Sequence, residues 1–495
     1  MSTDARPASL MSPAERRDIL RDSFAVLSSS QLATICGVLQ NLIVLRLVPP
    51  VFTGIWTTIR TLLDYGNYTS LGINRAAGQE IAVAAGRGDA AATRRLTNVT
   101  MTAELIAAVF FAAALAASAG WKSLRADWPW AFALAVAAAL AVASRYFAFS
   151  LTVLRSNKQF PTLARVRVFG AVSELLLFTA GAFYFGFYGL VGAALVAQLA
   201  NAWFVRRDGG LRFAPQFDRG TLRTLVVAGG PMAAEALALA ALRSVDRWVI
   251  LHCLANGAQQ LGWYKIAMVM GAWAFDQSNV VANVIYPRLG ETLGRTSDPS
   301  AVLRLGLRAA EVLALAMIVC SAALLAAGTP VAFWLLPQYR NGLVAAGGMV
   351  AAAALLGTAM PLRYALMTIG RTRAMLVATA VSAAVSLAGG IAVLRADAII
   401  AAPALARVAW TSAAAAAVCL ILILTLCCVG RRELAPAAIR VLAICIYGVA
   451  GIAVLGLLRD DSLRCLIVAA VLCVAPAAYL WRQADWRDLL TSRAS

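Results

Sequence analysis

Charged residues are scarce in this sequence, and histidine is nearly absent. Asp, Glu, Lys and Arg make up 14% of the 495 residues, and His252 is the only histidine. No Gly-x-x-x-x-Gly-Lys-Ser/Thr segment is present, which argues against ATP as the direct energy source. The nine cysteines match neither a zinc nor a disulfide framework, and no His/Cys/carboxylate group has metal-ligand spacing. We therefore expect no metal site and no cofactor.

Long apolar runs dominate the chain. Apolar residues form 61% of it, and the mean hydropathy is +0.77. A run of about 20 apolar residues crosses a bilayer core roughly 30 Å thick as a helix. About fourteen such runs predict an all-α polytopic membrane protein with about 14 transmembrane helices. We place the spans near residues 23–49, 51–74, 98–118, 128–150, 162–184, 188–205, 224–252, 262–286, 305–327, 342–366, 375–394, 399–428, 437–457 and 462–481.

The basic residues predict the topology. The chain has 43 Lys and Arg against 24 Asp and Glu, a net charge of +19, and its arginines crowd into alternate short connections. Because excess Lys and Arg marks cytoplasmic loops, we expect both termini in the cytoplasm. The same charges meet anionic lipid headgroups, so no nucleic-acid partner is expected.

The longest basic connection divides the chain into two six-helix halves. The expected organisation is a cytoplasmic N-terminal segment (1–22), a first half (23–205), a cytoplasmic linker (206–223), a second half (224–428), two additional helices (429–481) and a cytoplasmic tail (482–495). "TGIWTTIRTLLDYGNYTSLGINRAAGQE" from Thr53 and "LGWYKIAMVMGAWAFDQSNVVANVIYPRLGE" from Leu261 begin alike and end alike. Related halves of this kind are typical of secondary transporters.

Polar residues inside the predicted spans are the candidates for function, because a polar group in hydrocarbon is costly unless it faces a cavity or a partner. For several of these residues, an ion pair with no function in binding is an alternative explanation. Arg60 and Asp64 are four residues apart and so share a helix face. Such an ion pair could form between Arg60 and Asp64, or between Asp246 and a neighbouring arginine, and its two charges would neutralise each other without a ligand. The candidates are Arg60, Asp64, Glu174, Glu235, Arg243, Arg247, Lys265, Asp276, Asn279 and Asn283.

We predict different roles for two arginines and two glutamates inside or near the predicted spans. Arg145 and Arg363 lie near predicted cytoplasmic ends, which favours interfacial anchoring. Glu174 and Glu235 are lone carboxylates near mid-membrane, which need protonation, an arginine partner or water.

Several segments resemble a known family. They are "NLIVLRLVPPVFTGIW", "LLDYGNYTSLGINRAAGQEI", "SVDRWVILHCLANGAQQLGWYKIA" and "VIYPRLGETLGR". Together they resemble the polysaccharide (Wzx-type) flippases of the multidrug/oligosaccharidyl-lipid/polysaccharide (MOP) exporter superfamily. The resemblance covers nearly the whole chain in span number and order. It implies two six-helix bundles around a central cavity, with two extra helices at the end.

The resemblance also implies a function. A flippase of this family moves an undecaprenyl-pyrophosphate-linked oligosaccharide from the cytoplasmic to the periplasmic leaflet of the bacterial inner membrane by alternating access. Expected partners are the lipid-linked glycan, the bilayer, a polysaccharide polymerase and a chain-length regulator. On this interpretation Glu174 or Glu235 couples transport to H⁺ or Na⁺. The expected pyrophosphate contacts are Arg60, Arg243, Arg247 and Lys265, and the expected sugar contacts are Asp64, Asp276, Asn279 and Asn283.

Three alternatives stay open. A lipid II flippase of the same superfamily also has fourteen spans. A cation-coupled multidrug antiporter shares the twelve-span core, but prefers acidic cavity residues. A membrane-embedded polysaccharide polymerase or ligase needs a sizeable outer loop, whereas every outer connection predicted here is short. We expect a transporter rather than an enzyme.

Overall fold

The computed structural model describes residues 13–211, 213–395, 403–458 and 462–482, and these ranges are helical without a strand. Most of the expected N-terminal segment and tail therefore lie outside the described residues. A π-helical turn covers Leu324–Gly328, and 3-10 turns cover Pro337–Ala345 and Arg432–Leu434. The helices are α1 (Pro13–Leu47), α2 (Pro50–Gly66), α3 (Ile73–Gly86), α4 (Ala90–Leu124), α5 (Trp128–Ser156), α6 (Phe160–Asp208), α7 (Arg219–Leu242), α8 (Val245–Cys253), α9 (Gly257–Thr296), α10 (Pro299–Ala323), α11 (Thr329–Leu335), α12 (Ala346–Thr368), α13 (Thr372–Arg395), α14 (Ala404–Cys428), α15 (Ala435–Leu457) and α16 (Ser462–Arg482).

Ten helical stretches in the described residues are long and apolar enough to cross a membrane. They confirm a polytopic all-helical membrane protein, but not the expected number of fourteen spans. α2 has only 17 residues, and α9 carries polar residues along its length. The ten are Ser28–Leu47, Ala90–Leu124, Trp128–Ser156, Phe160–Asp208, Arg219–Leu242, Pro299–Leu335, Pro337–Thr368, Thr372–Arg395, Ala404–Cys428 and Arg432–Leu457.

One glycine explains part of the difference in span number. The spans predicted near 162–184 and 188–205 both lie within α6, which kinks at Gly186 with φ 57° and ψ −132°. Glycine adopts this positive φ without the steric cost that a side chain would meet. A Cβ atom on Gly181 would overlap the carbonyl oxygen of Gly189, so the two arms of the kink pack backbone to backbone.

The described residues form two compact units. The first contains Thr69–Gly229 with the described residues up to Val44, and the second contains Leu45–Tyr68 and Gly230–Arg482. α2 therefore belongs to the same unit as the helices after Gly230. The boundaries of the two six-helix halves stay a prediction.

In the first unit, a buried ion pair holds the irregular segment 67–72 where it enters that unit. Arg145 on α5 donates from Nη1 to Glu104 Oε2 on α4 at 2.6 Å, and Glu104 is completely buried. The same guanidinium donates to Ser70 Oγ at 3.1 Å and to Thr69 Oγ1 at 3.0 Å. The expectation that Arg145 anchors at the interface is wrong, because its side chain is buried and paired.

In the second unit, glycines let α2 and α9 approach closely. A Cβ atom on Gly54 would overlap the carbonyl oxygen of Ala258, and one on Gly262 would overlap the carbonyl oxygen of Pro50. Small residues allow such backbone contact between membrane helices. This packing fixes α2 against α9, the two helices that carry most of the candidate residues.

Candidate functional site

The eight predicted substrate contacts lie on three segments of the second unit. In α2 the side chains of Thr57 and Thr61 are buried, whereas those of Arg60 and Asp64, on the adjoining part of the helix surface, are exposed. The guanidinium of Arg60 lies 5.8 Å from the ring centroid of Trp56, one turn earlier. Among the described residues, no salt bridge joins Arg60 to Asp64. The self-satisfied pair considered from the sequence is therefore not formed.

The second segment is a break between α7 and α8 that the sequence did not predict. α7 ends at Leu242 and α8 begins at Val245, inside the single span expected near 224–252. The guanidinium of Arg243 lies 4.0 Å from the ring centroid of Phe275 on α9. The hydroxyls of Ser244 and Tyr65 are hydrogen-bonded at 2.7 Å, which fastens the break to α2.

Arg247 and Asp246, on the first turn of α8, point to different partners. Arg247 donates from Nη1 to Thr61 Oγ1 on α2 at 2.8 Å. Asp246 is buried; its Oδ2 accepts the hydroxyl of Tyr264 at 2.7 Å, and its Oδ1 accepts the backbone N–H of Arg247 at 2.9 Å. A small cavity of about 60 Å³ lies beside these residues and is also lined by Phe275 and Ser412. Asp246 thus accepts hydrogen bonds from Tyr264 and from the backbone of α8, and its carboxylate also interacts with the charge of Arg247.

The third segment is α9, which supplies Lys265, Asp276 and Asn279. Lys265 and Asn279 are half-buried, whereas Asp276 is exposed and hydrogen-bonded to Asn279. Asn283 lies on the same helix, but its side chain is outside the described residues.

The predicted contacts form one electrostatic cluster. Lys265 interacts with Arg60, Arg247 and Asp64, and Arg243 interacts with Arg247, Asp64 and Asp276. Four cationic side chains thus lie near three carboxylates: the exposed Asp64 and Asp276, and the buried Asp246, which interacts with Arg247. Like charges repel more strongly where water is partly excluded, so the cluster favours an anion that would neutralise them. Arginine side chains can bind phosphate oxygens bidentately.

The two predicted coupling carboxylates are placed elsewhere. Glu235 on α7 forms a buried ion pair with Arg363 on α12, and Arg363 also donates to Thr379 Oγ1 at 3.1 Å. The interfacial role expected for Arg363 is therefore wrong. Glu174, in the first unit, accepts from Asn201 Nδ2 at 3.4 Å within α6. Glu235 is thus paired with Arg363 rather than with the basic cluster of the second unit, and Glu174 belongs to the first unit.

Aromatic residues beside the cluster were missed by the sequence analysis. The ring centroids of Tyr65 and Trp248 are 6.4 Å apart, and those of Trp248 and His252 are 6.0 Å apart with nearly parallel planes. Trp248 directly follows Arg247, and Tyr65 directly follows Asp64. The sequence shows that these aromatic residues adjoin the charged ones, but it does not show that Tyr65 on α2 comes close to Trp248 on α8.

Solved structures with a similar fold are membrane transporters. An inward-facing multidrug resistance MATE family transporter of the MOP superfamily matches with a TM-score of 0.63 and 15% identity, covering 84% of this chain and 98% of that one. The lipid II flippase MurJ in an inward closed conformation matches with a TM-score of 0.66 and 9% identity, covering 92% of this chain and 98% of that one. At these identities the similarity concerns the fold. A comparison with curated proteins finds no match.

The fold thus defines the class: a polytopic helical membrane protein with the architecture of MOP-superfamily transporters. The model of the family described as "Polysaccharide biosynthesis protein" matches residues 43–337. This is more than half of the 495 residues, and the chain belongs to that family. The resemblance found in the sequence is confirmed.

Proposed function

We propose that this protein flips an undecaprenyl-pyrophosphate-linked oligosaccharide from the cytoplasmic to the periplasmic leaflet by alternating access, for surface polysaccharide biosynthesis. The observation that carries the proposal is the cluster of Arg60, Arg243, Arg247 and Lys265, in a chain of the polysaccharide biosynthesis family. A pyrophosphate cannot cross hydrocarbon unaided, because a charge in the bilayer core is costly. A group of cations within the protein lowers that cost while the polyprenyl tail stays in lipid.

The neighbouring polar groups suit the sugar. Asp64, Asp276 and Asn279 offer acceptors and an amide donor beside the cations, and sugar hydroxyls both donate and accept hydrogen bonds. Asn283, further along α9, belongs to the same proposal. In this arrangement the cations select the pyrophosphate, and the polar groups of α2 and α9 contact the glycan.

The setting of this activity is part of the proposal. We place the protein in the bacterial inner membrane with both termini in the cytoplasm, where the biosynthetic lipid is made. A polysaccharide polymerase and a chain-length regulator would act on the glycan after it has been flipped.

Ion coupling is a further part of the proposal. Protonation of Glu235 would leave Arg363 as an uncompensated buried charge, so the Glu235–Arg363 pair can link H⁺ or Na⁺ to a change of state. Glu174 is the second candidate. Steady flipping by proteoliposomes with all ion gradients collapsed would exclude coupling at either carboxylate.

The decisive experiment compares flipping in proteoliposomes that contain polyprenyl-pyrophosphate oligosaccharides. Arg60→Ala and Lys265→Ala are expected to lower the rate about 10–100-fold, because a hydrogen bond to a charged group contributes about 1.5–3 kcal/mol. Arg308→Ala is the matched control, since Arg308 is an exposed arginine of the same unit on α10. It should leave the rate unchanged.

Other outcomes would redirect the proposal. Flipping that survives both cluster substitutions keeps the activity but moves the binding site elsewhere. Flipping of lipid II in preference to other glycolipids would favour the function of the lipid II flippase, whose fold is similar. Extrusion of cationic drugs without flipping of any glycolipid would favour a multidrug antiporter.

A further inference from the structure

Three aromatic rings form a continuous ladder from α2 along α8. Tyr65 on α2 lies 6.4 Å from Trp248 on α8, and Trp248 lies 6.0 Å from His252, one turn further along α8. The planes of Trp248 and His252 differ by only 9°, which is an offset-stacked arrangement. The hydrogen bond between Tyr65 and Ser244 holds the first ring in place. The rings are therefore oriented as a set.

The ladder lies on the open face of α8. Val245, Asp246, Val249 and Ile250 form the buried face of this helix. Trp248 is half-buried and His252 is exposed, so these rings do not serve mainly to fill the interior.

The ladder is also continuous with the basic cluster. Arg247 precedes Trp248 on α8 and donates to Thr61, while Tyr65 lies one helical turn after Thr61 on α2. The same two helices thus present a cation and an aromatic ring at neighbouring positions. A ligand that combines an anionic group with an apolar ring face would contact both.

A glycan attached to a pyrophosphate has this combination of groups. The face of an aromatic ring carries partial negative charge, whereas the C–H bonds on the flat face of a pyranose carry partial positive charge, so the two faces attract each other. Stacking of this kind depends little on the identity of the sugar. Stacking therefore suits a transporter that must bind a glycan without a specific hydrogen bond to each of its hydroxyl groups.

We propose that Tyr65, Trp248 and His252 form a sugar-stacking subsite for the glycan of a lipid-linked substrate. This inference rests on the proposed function, because it assigns the sugar-binding part of the same substrate. The cations of the cluster hold the pyrophosphate, and the ladder holds the first sugars of the glycan.

The test compares two lipids that differ only in the sugar. Undecaprenyl pyrophosphate and undecaprenyl pyrophosphate carrying N-acetylglucosamine are titrated against the full chain in nanodiscs. The wild type is expected to prefer the sugar-bearing lipid. Trp248→Leu should reduce that preference about tenfold while leaving the affinity for the sugarless lipid unchanged. Trp248→Phe, which keeps an aromatic face, should restore most of the preference.

Two further variants complete the design. His252→Ala alters an exposed side chain, and should lower the preference by a smaller factor even if Trp248→Leu fails to fold. Trp334→Leu is the matched control, because Trp334 is a tryptophan of the same unit with 79% of its surface exposed. It should leave both affinities unchanged.

The outcomes separate the two proposals. A wild type that prefers the sugar-bearing lipid, with Trp248→Leu and His252→Ala retaining the full preference, overturns the ladder and leaves the flippase proposal standing. Equal loss of affinity for both lipids assigns Trp248 a structural role, and also overturns the ladder. A wild type that binds neither lipid overturns both proposals.

Discussion

Residues 53–80 and 261–291 are similar in sequence, but their backbones differ. The first stretch breaks into α2, an irregular segment at 67–72 and α3, whereas the second stays within the single helix α9. Leu71 and Gly72 have positive φ values of 51° and 79° in the break. α9 continues through Pro287, because one proline removes a hydrogen bond and bends a helix without requiring a left-handed residue.

The difference shows what a helix break does for the chain. The first stretch changes unit between Tyr68 and Thr69, within the irregular segment, whereas α9 stays in the second unit throughout. The two stretches that begin and end alike in sequence thus form one broken and one continuous helix. The break lets α2 pack with α9 while α3 packs in the first unit.

The largest expected effect comes from removing Arg145, whose side chain holds the irregular segment between α2 and α3. Arg145→Ala leaves Glu104 as an uncompensated buried carboxylate, and we expect a loss of about 3–5 kcal/mol in the free energy of unfolding. Thermal unfolding in detergent measures it. The double variant Arg145→Met/Glu104→Leu should recover most of the loss, because it leaves no buried charge. An Arg145→Ala protein as stable as the wild type would contradict the pinning role.

The next effect concerns the continuous helix. Gly262→Ala places a Cβ atom against the carbonyl oxygen of Pro50 and should cost about 1–3 kcal/mol, since neither backbone can move away without separating α2 from α9. Gly290→Ala is the control on the same helix, because a Cβ atom there meets open space. Comparable melting temperatures for the two variants would show that the close packing is unimportant.

A smaller effect is expected at the break itself. Gly72→Ala introduces a side chain at φ 79° and should destabilise the protein by about 1–2 kcal/mol. Gly86→Ala, at the end of α3, lacks both the positive φ and a nearby atom, and should be neutral or slightly stabilising. If Gly72→Ala proved the more stable of the two, the left-handed residue would not define the break.

The smallest effect lies in the linker, outside both stretches. Hydrogen bonds from Thr221 and Arg95 lower the pKa of Asp218 from 3.8 to about 2. A lowered pKa in the folded state contributes stability above about pH 4, which is lost as the pH falls towards 2. The melting temperature of Asp218→Asn should therefore fall less between pH 5 and pH 2 than that of the wild type. Identical profiles would exclude this contribution.

The sequence predicts the helical membrane class because hydropathy acts over whole spans. The predicted number of fourteen spans is not confirmed, and the spans predicted near 162–184 and 188–205 lie in one helical stretch with a kink at Gly186. The break at Arg243–Ser244 has no strong local breaker either; its geometry depends on Tyr65, which is distant in the chain.

The candidate site shows the same limit. Arg60 and Asp64 are predictable as neighbours because helical spacing puts them on one face. The partners of buried charges cannot be predicted in this way, because Glu235 contacts Arg363 and Asp246 contacts Tyr264 only through tertiary packing. Spacing within one helix carries no information about which helix comes next to it.

The placement of Leu45–Tyr68 in the second unit has a consequence for dividing the polypeptide. A cut in the linker would leave α2 on the N-terminal fragment, while Ala258 and Gly262, against which it packs, would lie on the C-terminal one. The two fragments are therefore not self-sufficient proteins. Each would present an unfilled surface along α2 or α9, and only synthesis of both in the same membrane would let one complete the other.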